Sequence, residues 1–469
     1  MTLRHPERSA EGSLARIGLV LAAWSERWFP DPFVIALLGV VVTFILGVLS
    51  GVEPGRLVLE GGKNFWTLVP FTMQMIMVIV GGHVVASTPM VNGLIQRLSR
   101  VPRSPRGAVA WVALFSMLTS LLSWGLSLIF SGLLVREMAH RMKGLDYRAA
   151  GAAAYLGLGV TWAMGLSSSA ALLMTTKAAL PPALLAISGV IPLSQTIFLL
   201  PSLITTAILI CVAVSVAYLS APSAENARTA SDFGIPAISK AEGMEGPARP
   251  GEWLEYSPIL AIVVGVMLAG YLVSLFRHSP DGALAALDLG TYNLVFLGAG
   301  LLLHWRPIHF LRSATESVPS VGGVLLQFPF YAMILGMIAG TGLNEKLARV
   351  LSSVTSHNTF AVFVAAYSAC LGVLIPSGGS KWVIEAPYVL QAAVTNRVHL
   401  GWVVQIYNAS ESLPNLINPF WMLPLLGILK LRARDLAGYG MLQLFVLLPI
   451  VFFLCWLFSQ TIAFIPPVK

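Results

Sequence analysis

Ionisable side chains are scarce in the long apolar runs of this chain, and those present mark where chemistry is possible: His83, Lys381, Glu385 and Glu411, with His304 at the edge of a further run. A charge in hydrocarbon is costly, so such a group faces a partner or a water-filled cavity. Lys381 and Glu385 stand four residues apart, which places them on one helical face within reach of each other. A mutually neutralised structural pair and a role in ion coupling are equally open to them. Glu411 lies among Ser410, Ser412 and Asn415, with Asn418 close behind. Carboxylate, hydroxyl and amide oxygens in that density suit a proton or a sodium ion. His83 follows Gly81 and Gly82. There packing or hydrogen bonding outweighs proton relay, although a coupling role is kept for it.

Two apolar runs are interrupted midway, one by Ser123-Trp124-Gly125 and the other by Pro376-Ser377-Gly378-Gly379-Ser380. A helix that begins inside a membrane presents unpaired amides and the positive end of its dipole, and both attract an anion. The first interruption offers Ser123, Gly125 and Ser127; the second offers Ser377, Gly378, Gly379 and Ser380. Glycine permits close backbone approach and serine adds a hydroxyl, so a small carboxylate could be held here without an arginine. Small residues also let helices pack closely in lipid. For Gly125, Gly132 and Gly165 that plainer reading weighs evenly; the Pro-Ser-Gly-Gly-Ser run is too polar for it. Beyond each interruption comes a run broken by small and polar residues, the first carrying Ser167 and Ser168, the second Asn415 and Asn418.

The elements that position these residues must be membrane helices. The 469-residue chain is 56% hydrophobic and 11% charged, with a mean hydropathy of +0.79, far from the balance of a water-soluble domain. Runs of about 20 apolar residues, the length that crosses a hydrocarbon core, recur along it. Spans are expected at 32–50, 67–88, 149–176, 196–219, 257–276, 291–304, 321–341, 403–429 and 439–464. The interrupted runs 108–135 and 360–390 have arms of about 15 residues, too short to cross, and read as re-entrant helical hairpins. The formal charge of +8 reflects topology and not a nucleic-acid partner: twenty of the 29 Lys and Arg fall on one side of this arrangement and eight on the other, with Lys381 inside the second hairpin. Positive residues accumulate on the cytoplasmic face, which puts the N-terminus inside. Clusters of four flank the first hairpin on both sides (Arg97, Arg100, Arg103, Arg106; Arg136, Arg141, Lys143, Arg148). Both flanks therefore belong to one side.

The chain also repeats. A run starting at Phe71-Thr72-Met73-Gln74 parallels one starting at Leu325-Leu326-Gln327-Phe328, and each is followed by a hairpin, a broken span and a last span. The expected organisation is a cytoplasmic or interfacial arm (1–30), a first transmembrane repeat (31–220), a polar cytoplasmic linker (221–256) expected to be poorly ordered, a connecting helix (257–290) and a second repeat (291–469). One connecting crossing turns the second repeat upside down relative to the first, an arrangement recurrent in secondary transporters. The short apolar stretch 14–24 runs into Glu26-Arg27 and reads as an interfacial helix with Trp24, Trp28 and Phe29 as anchors, not as a signal peptide. Cys211, Cys370 and Cys455 lie in separate runs and read as packing residues. No His-Glu-x-x-His, phosphate-binding glycine loop or paired intramembrane aspartates occur. The competing class is a membrane-embedded hydrolase with Ser123 or Ser377 as nucleophile and His83 as base.

Several ordered matches resemble the bacterial short-chain fatty acid transporter family: Trp28-Phe29-Pro30-Asp31-Pro32, Gly82-His83, Trp124-Gly125, Arg136-Glu137, Thr161-Trp162, Gln327-Phe328-Pro329-Phe330-Tyr331, Ile375-Pro376-Ser377-Gly378-Gly379 and Pro419-Phe420-Trp421. The resemblance implies import of short monocarboxylates such as acetate, butyrate or acetoacetate across a bacterial cytoplasmic (inner) membrane, driven by a proton or sodium ion. It also implies distant kinship with the ion-transporter superfamily, whose paired hairpins bind carboxylate while a mobile domain moves like an elevator. A di- or tricarboxylate carrier is the alternative, no cofactor is implied, and a homo-oligomer is left open. The chain departs from the family pattern at Ser123, where asparagine is implied, at Ser380-Lys381, where Gly-His is implied, and at Glu385, where glutamine is implied. Lys381 is thereby a candidate to bind the carboxylate or to replace a cation.

Overall fold

The computed structural model describes residues 30, 32–66, 69–175, 182–235, 249–279, 286, 289–343, 346, 353–374 and 378–466, together with residues 13, 16, 17, 20 and 27. Trp24, Trp28, Phe29 and Ser377 lie outside the described residues, as does the side chain of Ser380. The described chain is helical, without a strand. The first half comprises α1 (Pro32–Leu49), α2 (Pro54–Asn64), α3 (Val69–Ala86), α4 (Pro89–Leu98), α5 (Pro105–Leu122), α6 (Trp124–Arg141), α7 (Tyr147–Leu156), α8 (Ser169–Thr175), α9 (Pro182–Ser188) and α10 (Leu200–Ser220). After α11 (Ile259–His278), the second half runs through α12 (Leu289–His304), α13 (Pro307–Ser317), α14 (Gly322–Gly340), α15 (His357–Leu374), α16 (Gly378–Thr395), α17 (Leu400–Ser412), α18 (Pro419–Leu429) and α19 (Ala433–Thr461).

Helix starts follow the local sequence. Thr88 and Ser104 accept hydrogen bonds from Val91 N and Gly107 N and are each followed by proline, which suits a first turn that needs no amide donor. Asp146 caps α7 through Ala149 N at 2.8 Å. Among the described residues, five helices are long and apolar enough to cross a membrane, or up to seven if each bent pair is one span. The bent pairs are α3 with α4, at 76°, and the break between α17 and α18, at 43°. α11 is the most exposed candidate span, with only Ala261 and Gly265 buried, as a lipid-facing helix would be.

The halves are interlocked. α1 and α2 of the first half pack on α14 of the second, and α12 and α13 of the second half pack on α3 of the first. On one side the Phe33 and Phe65 rings meet Phe330 edge-on at 5.3 and 5.6 Å, and Arg56 Nη2 donates to Gly340 O. On the other, Asn293 donates to Gln74 O at 2.8 Å, the His304 ring lies 2.8 Å from Val84 O, and Ser87 and Ser313 share a 2.6 Å hydrogen bond.

Three expectations change. The described helices of the hairpin arms are 18 residues each, not about 15, because they continue through polar ends such as Pro105-Arg106 and Arg136–Arg141. At about 27 Å by helix rise, length alone does not prevent an arm from crossing. The linker is not featureless either. Arg106 Nε donates to Ala221 O, Tyr147 N to Arg228 O and Arg228 N to Asp146 Oδ2, which docks residues 221–235 on the start of α7; only 236–248 lie outside the described residues. Of the cysteines, Cys455 is buried in the packing, whereas Cys211 and Cys370 are exposed.

Candidate functional site

The break of the first half begins as a π-turn at Gly157–Thr161 and ends in a 3-10 turn at Trp162–Met164, all of it buried. Hydroxyls of the first hairpin supply the hydrogen bonds that this irregular backbone lacks. Ser116 Oγ donates to Ala154 O at 2.6 Å and accepts from Gly157 N at 2.8 Å, while Ser120 Oγ donates to Gly157 O at 2.7 Å. A Cβ on Gly157 would strike the Ser116 carbonyl and the Ser127 hydroxyl, so the close approach requires glycine. Ser127 donates to Ser116 O at 2.6 Å and is thereby a packing residue of this junction. Ser123, in extended conformation (φ −164), ends α5 and caps α6 through Leu126 N at 3.2 Å. Beside it Gly125 is buried and Trp124 stacks edge-on with Trp421 at 5.3 Å.

The second interruption is met from the other half. The α16 start packs against the first-half break so closely that a Cβ built on Gly378 would lie 2.5 Å from Trp162 Cη2 and 3.3 Å from Glu411 Oε2. Gly379 faces Ser169, and Tyr407 OH donates to Gly378 O. Asn408 Nδ2 donates 3.0 Å to Ser168 Oγ, which joins the two breaks directly. Ser167, half-buried, reaches Ser120 O and Trp162 O at 3.3 Å. Each tip thus meets a tryptophan from the opposite half's broken span: Trp162 at Gly378, and Trp421 at Trp124.

Lys381 and Glu385 form the expected pair, 3.6 Å apart, with no solvent exposure on either side chain. Ser368, thirteen residues back on α15, completes it: its carbonyl accepts from Lys381 Nζ and its hydroxyl donates to Glu385 Oε2, both at 2.7 Å. The Lys381 ammonium also lies 4.7 Å from the centre of the Tyr407 ring. Its contacts are therefore one hydrogen bond and one ion pair within the hairpin, and the Tyr407 ring of α17. Glu411 and Asn415, one turn apart, are 1% exposed; Glu411 Oε2 and both amide atoms of Asn415 make no hydrogen bond among the described residues. Asn418 is turned to Val373 O at 3.3 Å. Among the described residues no group of three His, Cys, Asp or Glu could hold a metal ion.

The geometry therefore brings together Ser168, Gly378, Gly379, Lys381, Glu385 and Glu411, and adds Trp162, Ser368, Tyr407 and Asn408, which sequence reading did not single out. It does not bring His83 into this cluster. That ring lies where α3 meets α13, 4.0 Å from Glu316, with its Nε2 making no hydrogen bond among the described residues. Ser123, Gly125 and Ser127 belong to the first hairpin and its junctions with the broken spans.

The family model described as short chain fatty acid transporter matches residues 13–458. Two relatives carry the provisional name of short-chain fatty acid transporter. One, from Escherichia coli (strain K12), is 32% identical over 91% of this chain and 96% of its own length; the other, from Haemophilus influenzae (strain ATCC 51907 / DSM 11121 / KW20 / Rd), is 30% identical over 93% and 98%. The solved structure of Neisseria gonorrhoeae MtrF aligns with 96% of this chain and 99% of its own at 12% identity and a TM-score of 0.48. The family matched over residues 13–458, and the two relatives at 32% and 30% identity, are described as transporters, and the hydrolase reading falls away. The chain is a multi-pass membrane protein that belongs to the short-chain fatty acid transporter family.

Proposed function

We propose that the protein imports short-chain monocarboxylates, of the size of acetate, butyrate or acetoacetate, across the cytoplasmic membrane, coupled to a proton or sodium ion, with the carboxylate received at the start of α16. The observation that carries this reading is the meeting of the Gly378 backbone with Trp162 of the opposite half and the Glu411 carboxylate. A helix start supplies unpaired amides and a positive dipole end to an anion, and an indole ring supplies an apolar wall for a short alkyl chain. One helix start matches one carboxylate. Lys381 is committed to Ser368 and Glu385, so among the described residues of this cluster no cation is left for a second carboxylate, which favours monocarboxylates over di- and tricarboxylates. In this reading the N-terminus is cytoplasmic, both hairpins re-enter, the two repeats are inverted, and the exposed face of α11 meets lipid or a second copy.

Uptake of labelled butyrate by the purified protein in liposomes, under separate proton and sodium gradients, tests this. Saturable uptake competed by acetate and acetoacetate but not by succinate or citrate is expected. Uptake of succinate or citrate with none of butyrate would overturn it.

A further inference from the structure

We infer that Glu411 carries the coupling proton: a carboxylic acid at this position shares its proton with the substrate carboxylate at the start of α16, so that one proton crosses with each monocarboxylate. This rests on the substrate reading above. The first-turn amides of a helix lack intrahelical acceptors and form the positive end of its dipole, and α16 is described from Gly378, over 18 residues. Glu411 is buried beside Gly378 with Oε2 free of any hydrogen bond among the described residues. In the empty carrier its ionised carboxylate faces that positive end in the substrate's stead. Once a monocarboxylate arrives, two carboxylates a few ångströms apart in a low-dielectric site cannot both be ionised. Protonated Glu411 instead donates O–H to the substrate oxygen, a charge-assisted hydrogen bond. The proton comes from water on the entry side and leaves to water on the exit side, and no other bond changes.

Other ionisable groups around Glu411 do not offer this chemistry. On α16, Lys381 and Glu385 are paired with each other and with Ser368. Tyr407, on the same helix as Glu411, donates to Gly378 O, and Tyr367 of α15 and Tyr388 of α16 are hydrogen-bonded together at 2.8 Å. The first-half break brings Trp162 and Ser168 and carries no ionisable side chain over residues 157–171. α19, packed on the turn that follows α17, carries Tyr439 and Asp435, the latter capping its own helix by accepting from Arg432 N at 2.8 Å.

The test measures proton uptake when butyrate is added to purified protein in weakly buffered detergent solution, with indole fluorescence reporting binding. Wild type is expected to take up one proton per butyrate, and once Glu411 is ionised in the empty protein its affinity should fall about tenfold per pH unit, as linkage of one proton requires. Glu411→Gln should bind without proton uptake and with pH-independent affinity, Glu411→Asp should keep the proton, and Lys381→Met with Glu385→Gln should keep it too. Butyrate binding by wild type without proton uptake, or proton uptake persisting in Glu411→Gln, would overturn the inference alone. Failure of wild type to bind butyrate at any pH would overturn the substrate reading as well.

Discussion

At the scale of single residues, the Lys381–Glu385 pair shows what spacing can and cannot reveal. The four-residue interval is readable as a shared helical face, but Ser368, which hydrogen-bonds both partners, lies thirteen residues upstream of Lys381 in an apolar arm and carries no local signal of that contact. Removing one member leaves a buried charge uncompensated, which typically costs about 3–5 kcal/mol, whereas replacing both is often nearly neutral. Lys381→Met and Glu385→Gln should therefore each lower the thermal midpoint in detergent by many degrees, while the double variant returns to the wild-type value and retains butyrate uptake. Single variants as stable as wild type would contradict the pairing. Trp162 was visible as an aromatic residue in a polar break, yet its partner Gly378 lies in the opposite half, and sequence order has no means of expressing that contact.

Among elements, the first hairpin and the π-turn of the first break are a matched unit. Of the first hairpin's serines, Ser123 and Ser127 read as substrate ligands because they flank a helix start inside an apolar run; in the structure Ser127 joins Ser116 and Ser120, which sequence reading did not single out, in closing backbone hydrogen bonds around Gly157. Gly157→Ala must displace backbone as well as a hydroxyl and should cost on the order of 1–3 kcal/mol by overpacking, read as a lowered unfolding midpoint. An unchanged midpoint would mean that the break does not hold this close approach. Hairpin existence and position were legible from the interruptions, but arm length was not, because helices run on through polar ends that hydropathy excludes. Re-entry consequently depends on charge. Cysteines placed at Arg103 and Lys143 should both react with impermeant maleimide from the cytoplasmic side only, and reaction from opposite sides would make the first hairpin two full crossings.

Across the whole molecule, the order of features in the two halves was readable, while their interlocking was not. Nothing local in α1 announces that it packs on α14, or in α12 that it packs on α3, since such contacts join segments hundreds of residues apart. A cysteine pair at Phe33 and Phe330 should cross-link within one chain, and failure to do so would contradict the exchange of helices between halves. That interlocking surrounds a core in which both broken spans and the α16 start converge, with Gly378 at the contact. Butyrate binding to Gly378→Val, followed by indole fluorescence beside a measurement of thermal unfolding, tests the location of the carboxylate site most directly. The first added carbon must already push the Trp162 ring aside, so the unfolding midpoint is expected to fall and the protein that remains folded to bind butyrate at least a hundredfold more weakly; wild-type affinity in the folded variant would contradict a carboxylate site at Gly378.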